Sequence, residues 1–199
     1  MTQDAQNRSL AHSRQLQEVL VELLRAEPGD LGETLARISG VAGPALVVAR
    51  TSIWLFNDLH TELRCLHLYD QQRNTTESGG VLAVAMFPNY FATLEETRVI
   101  AAEDARTHPA TSEFTESYLD VLGITSMLDV PLRREGHAEG VLCFEHIGPR
   151  REWTLDEQNF AASLADLTSL VLETDRRRKA HERLKLLRQS DGRSCRCGP

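Results

Sequence analysis

The chain has 199 residues, 41% hydrophobic and 26% charged, and its 22 basic and 29 acidic residues give a formal net charge of −7. That is chain enough for one domain with extensions and a core that needs no staples, and the acidic balance argues against general nucleic-acid binding through phosphate neutralisation. No run approaches the roughly 20 apolar residues that span a bilayer. Met1 to Arg8 lacks a signal-peptide core, so a cytoplasmic location is expected.

In chain order, residues 9–26 read as a helix, because Leu16, Val19, Leu20, Leu23 and Leu24 recur at spacings of three and four. Pro28-Gly29 ends it. A second helix is expected over 31–42, with Leu31, Leu35, Ile38 and Val41 on one face and Asp30 as its cap. Thr51 to Phe56 reads as a strand, Asn57-Asp58 as turn chemistry, and Leu63 to Tyr69 as the partner strand.

Residues 70–80 are polar, end in Gly79-Gly80 and read as a loop. Residues 82–96 read as a helix with Phe87, Tyr90, Phe91 and Leu94 on one side. A short strand is expected at 98–102, a turn over Asp104 to Pro109, and a short helix over 112–122 that Gly123 ends. Two strands, Ile124 to Leu132 and Ala138 to Ile147, flank a turn containing Gly136.

Thr154 with Glu157 three residues on makes a capping box for the last helix. Phe160, Leu164, Leu167 and Val171 then repeat with a heptad-like spacing. Helical composition continues to about Arg188, a length of roughly 50 Å at 1.5 Å per residue. A core of roughly 130 residues is only about 35 Å across, so this helix overruns its own domain and calls for a partner helix. The order of elements gives an α+β fold: a central antiparallel sheet of five to six strands, terminal helices on one face and two short helices on the other.

This ordered set of segments resembles the GAF domains of bacterial signalling proteins. The resemblance rests on Ala49 to Phe56 with Glu62 to Leu66, on Val99 to Arg106 with His108-Pro109, on Gly123 to Leu132 with Gly136 and Gly140 to Glu145, and on Trp153 to Glu157 with Phe160-Ala161. It covers roughly 30–173, leaving 1–29 as an N-terminal signalling or dimerisation helix and 174–199 as a C-terminal helix extension with a disordered tail. The resemblance implies a regulatory pocket between the sheet and the two inner helices, a homodimer through terminal helices, and a downstream histidine kinase or diguanylate cyclase. No cofactor is named by it.

If that architecture holds, Phe87, Tyr90, Phe91, Phe114 and Tyr118 face the pocket as an aromatic wall, or simply cover the sheet. Asp104 and Arg106 flank its mouth by analogy, although for Asp104 an Asx-turn that stabilises the loop is the favoured account. Ser126 and Asp129, an odd number apart, fall on opposite faces of one strand, and Ser126 is a further candidate for ligand contact.

No catalytic or metal set is expected. His67 and His146 lack a second ligand at supporting spacing, and the Cys195/Cys197 pair is a weak metal signal. Arg176 to Lys179, the one dense basic run, reads as solvated helix surface. Two other readings remain open: a small stand-alone thiol-based reductase, which needs a reactive cysteine, and a dimerisation module with an empty pocket.

Overall fold

The structure, a computed structural model, describes residues 3–27 and 29–194. Two sequence readings, the Pro28 stop and the Cys195/Cys197 tail, lie outside the described residues. The chain builds a seven-stranded antiparallel sheet from β1 (Arg50–Phe56), β2 (Glu62–Asp70), β3 (Thr75–Glu77), β4 (Val81–Ala83), β5 (Ile100–Ala102), β6 (Ile124–Arg134) and β7 (His137–Ile147). The spatial order is β3-β2-β1-β7-β6-β5, with β4 also on the outer edge of β2.

On one face lie α1 (Gln3–Arg25), α2 (Leu31–Leu46) and α5 (Leu155–Ser194). On the other lie α3 (Pro88–Glu96) and an irregular helical stretch. That stretch runs as a 3-10 turn at Ser112–Phe114, a π turn at Thr115–Leu119, and α4 at Asp120–Leu122. The result is an α+β layered fold with differently clad faces.

Each face has its own core, as the period-2 alternation of the strands requires. Ile53, Leu128, Val130, Leu142 and Phe144 meet α2 and α5, joined by Phe160 and Leu164. Trp54, Leu63, Met127, Val141 and Cys143 meet α3 and the 112–122 stretch. A bulge on β2 leaves Leu66 as the extra residue, so that His67 and Cys65 stand opposite Ile53 and Trp54 of β1.

The expected helix starts carry their caps. Asp30 and Glu33 form a reciprocal capping box, and so do Thr154 and Glu157. Gly123 sits at φ 72° and ends α4. The β6–β7 turn places Glu135 and Gly136 at φ 52° and 90°, the two positive values a two-residue hairpin demands.

Expectations for three parts of the chain need correction. The loop at 70–80 contains β3, and the expected helix at 82–96 begins only at Pro88. Residues 81–83 pair with β2, and proline with its fixed φ suits the first helical position. Second, α2 runs through Pro44 to Leu46 rather than stopping at 42, and ends on Val47 in the left-handed conformation. Third, half of the heptad-like seam is internal: Phe160 and Leu164 are buried on their own sheet rather than offered to a partner.

The cover on the second face is fixed at both ends of α3. Glu113 accepts from the backbone N–H groups of Asn89 (3.3 Å) and Tyr90 (3.0 Å), orphan donors of the first turn. Arg133 donates to the carbonyls of Glu95 and Thr97, each at 2.9 Å, at its other end.

Candidate functional site

Between the sheet and this cover is a cavity of about 30 Å3. Tyr90 of α3 and Phe114 and Tyr118 of the 112–122 stretch roof it, Trp54 and Val141 line it from the sheet, and Leu82 of β4 closes one side. The Trp54 indole N–H is satisfied locally by Ser52 Oγ at 2.8 Å, so its ring is free to serve as wall. The Tyr90 and Phe114 rings meet edge-on at 4.8 Å between centroids.

The sheet delivers two polar rows to this face. Across three strands, Asp70, Arg50 and Glu145 are successive cross-strand partners. Arg50 Nε lies 2.9 Å from Glu145 Oε2, and Arg50 Nη1 lies 3.9 Å from Asp70 Oδ2. Neither Arg50 Nε nor Glu145 Oε2 has hydrogen-bond geometry to any partner, so this contact is an ion pair of poor angle. The Tyr118 hydroxyl donates to Glu145 Oε1 at 2.6 Å. In the next row Ser52, Cys143 and Asp129 are neighbours. The Tyr90 hydroxyl donates to Asp129 Oδ2 at 2.8 Å, while Asp129 Oδ1 has no partner.

Burial governs the ionisation of these groups. It pushes the Asp129 carboxyl up to about 7, with the charge of Glu145 adding to the rise and the Tyr90 hydrogen bond opposing it. It also raises Glu145, against the pull of Arg50 and Tyr118. The hydroxyls of Tyr90 and Tyr118 are held protonated, well above the ordinary phenol, by burial and by the carboxylates they serve. Burial lifts the Cys65 thiol to about 11 and holds the Cys143 thiol well above its ordinary value.

Of the eight residues expected at the pocket, Tyr90, Phe114 and Tyr118 line the cavity. Phe87 stacks on Phe114 at 4.3 Å, and Phe91 packs on Phe56 and Tyr90, so both support the wall from behind. Asp104, Arg106 and Ser126 stand elsewhere. Asp104 accepts from the Arg106 N–H and the Thr107 hydroxyl and pairs with Arg150, which is the Asx-turn role. Arg106 pairs with Asp120 at 2.7 Å. Ser126 donates to the Glu103 carbonyl and accepts from the Arg151 N–H.

Sequence reading did not single out Trp54, Leu82, Cys143 or Glu145 as lining. His67 Nδ1 meets Ser39 Oγ at 3.1 Å on the α2 side of the sheet. Among the described residues no three His, Cys, Asp or Glu side chains gather to hold a metal ion, and no helix is long and apolar enough to cross a membrane. The basic run Arg176 to Lys179 is wholly ion-paired, with Glu139, Glu173 and Asp175.

A sheet in this order, with terminal helices on one face and a lined cavity under short helices on the other, defines the class: an α+β layered domain. The GAF domain family matches residues 30–172, and the chain belongs to that family. Solved structures agree on the fold. The GAF domain of a phosphoenolpyruvate-protein phosphotransferase (ptsP) from Coxiella burnetii superposes with a TM-score of 0.64 at 18% identity, over 85% of this chain and 96% of that one. The Thermosynechococcus elongatus PixJ GAF domain, in its blue-light absorbing form, gives 0.64 at 18% over 80% and 94%. The free methionine-R-sulfoxide reductase from Neisseria meningitidis, in complex with its substrate, gives 0.65 at 14% over 85% and 93%. No curated protein matches the sequence.

Proposed function

We propose that this chain is a regulatory, ligand-sensing GAF domain of a cytoplasmic signal-transduction protein, working as a homodimer through its terminal helices. The observation that carries this reading is the geometry of α5. Arg176 is bound bidentately to Glu139 of β7, with contacts at 2.7 and 3.1 Å, and from Arg177 to Arg188 every residue is exposed. The helix thus leaves the domain as a lever: residues 177–194 extend for about 27 Å. Exposed Leu24 of α1 and Leu170 of α5 border a groove between α1, α2 and α5, which supports helix-to-helix association on this face.

A ligand held beneath Tyr90 and Tyr118 touches β7 through Glu145. β7 touches α5 through Glu139, six residues earlier on the same strand. Ligand binding then shifts the population of helix packings by its differential affinity for them, and a histidine kinase or diguanylate cyclase is the output proposed downstream. Relatives that include a phosphotransferase's GAF domain and a light-absorbing one favour the regulatory class.

A thiol-based reductase is disfavoured because both described cysteines are buried and their thiols are pushed up, away from the reactive thiolate. The smallness of the cavity is the one observation favouring a ligand-free dimerisation module. Sedimentation velocity of the full chain at micromolar concentration tests the proposal: a dimer is expected, reverting to monomer when α5 is cut after Arg176. A full chain that sediments as a monomer contradicts it.

A further inference from the structure

Resting on the sensor reading, we infer that the cavity selects a small organic cation, of the alkylammonium class, with Glu145 as its counter-charge and the surrounding rings as its cage. Among the described residues lining the cavity, Glu145 is the one that is charged at neutral pH by its ordinary chemistry, and no basic side chain lines it. Arg50, which pairs with Glu145, is not among the lining residues, and its guanidinium sits over the Tyr118 ring at 5.9 Å from the centroid. Its single charge is divided between Glu145 and Asp70. An anion entering from the cavity side therefore meets a carboxylate first.

The rest of the wall suits a cation as well. Trp54, Tyr90, Phe114 and Tyr118 present aromatic surface to one small volume, and ring faces attract ammonium groups most strongly where water is excluded. Both tyrosine hydroxyls already donate, one to Glu145 and one to Asp129, so neither has a proton to offer a ligand acceptor. What stays unused is acceptor capacity. Asp129 Oδ1 has no partner, its side chain is fully buried, and it stands across the β6–β7 ladder from the lining residue Cys143. A ligand that brings positive charge meets Glu145 at the cavity wall, and a ligand that brings acceptors finds both tyrosine protons already committed. A cavity of about 30 Å3 holds roughly two water-sized groups, which points to a ligand head as small as methylammonium.

The experiment titrates the full chain with methylammonium, with methanol as its neutral isostere, and with acetate as an anion of similar size. Amide and indole N–H resonances are followed, with the Trp54 indole as reporter. Saturable shifts with methylammonium alone are expected, with affinity falling at least tenfold in Glu145→Gln. Because Glu145→Gln leaves Arg50 short of a partner and so weakens the fold, Tyr118→Phe serves as the second variant. It keeps the ring and frees Glu145 Oε1, so binding is expected to be as tight as in the parent or tighter. Equal binding of methanol or acetate overturns the cation class while leaving the sensor reading intact. No binding by any probe, unchanged affinity in a folded Glu145→Gln, or a tenfold loss in Tyr118→Phe also overturns the inference. Failure of the sensor reading is seen separately, as a monomer in sedimentation.

Discussion

The Tyr90 hydroxyl donates to Asp129 Oδ2 at 2.8 Å, bridging α3 to β6 of the sheet where both residues are buried. That one bond ties the roof of the cavity to the sheet. It also leaves half of a buried carboxylate without a partner.

Stability therefore depends on pH through Asp129. Its carboxyl is raised to about 7 from an ordinary 3.8, so the folded protein holds this proton more tightly than the unfolded chain does. The stabilising protonated form is fully present below about pH 4 and is lost as pH rises through 7. Asp129→Asn, neutral at all pH, is expected to lose this dependence. In urea unfolding, the parent should weaken relative to the variant by a few kcal/mol (~4 at most, at 1.36 kcal/mol per unit) between pH 4 and 8. Parallel profiles would show that Asp129 titrates normally.

Arg50 has the opposite role, as the cation that offsets Glu145 among the described residues. Arg50→Met leaves that carboxylate buried and unpaired and is expected to cost about 3–5 kcal/mol near pH 8. The penalty should be smaller at pH 5 than at pH 8, because burial raises Glu145 and so favours its neutral form as pH falls. Chemical denaturation at the two pH values checks both parts.

Two backbone positions give predictions of opposite sign. Val47 ends α2 at φ 53° with its side chain 67% exposed, a costly conformation for a β-branched residue. Val47→Gly is expected to stabilise the fold by about 1 kcal/mol. A Cβ on Gly140 would stand 2.1 Å from the Trp54 carbonyl oxygen on the neighbouring strand. Gly140→Ala is expected to cost about 3 kcal/mol or more, or to prevent folding. Thermal melts of the two variants read both.

Native thiol titration separates the cysteines. Cys65 and Cys143 are buried with raised pKa, so neither is expected to react at pH 7.5 until the protein unfolds. Rapid labelling of either at native stability would restore a thiol-based reading of the cavity.

Much of this fold can be read from local chemistry. The strand at 50–56, both capping boxes and the Gly123 stop follow from residues within a few positions of one another. Strands β3 and β4 do not, because three polar or short apolar residues become strands only through β2. The site divides in the same way. Tyr90, Phe114 and Tyr118 announce themselves by aromatic spacing on short helices. Glu145 is hidden in a run that reads as core, and its meaning comes from Arg50, ninety-five positions earlier and its direct partner across the β1–β7 ladder. Asp104 and Arg106 illustrate the converse: turn residues whose charges are used up within their own loop.

Native mass spectrometry of the freshly purified full chain tests the central claim most directly, since it weighs the assembly and whatever it retains. The account predicts twice the 22.3 kDa chain mass, with part of the population carrying a small non-covalent addition. A bare monomer at micromolar concentration would contradict it.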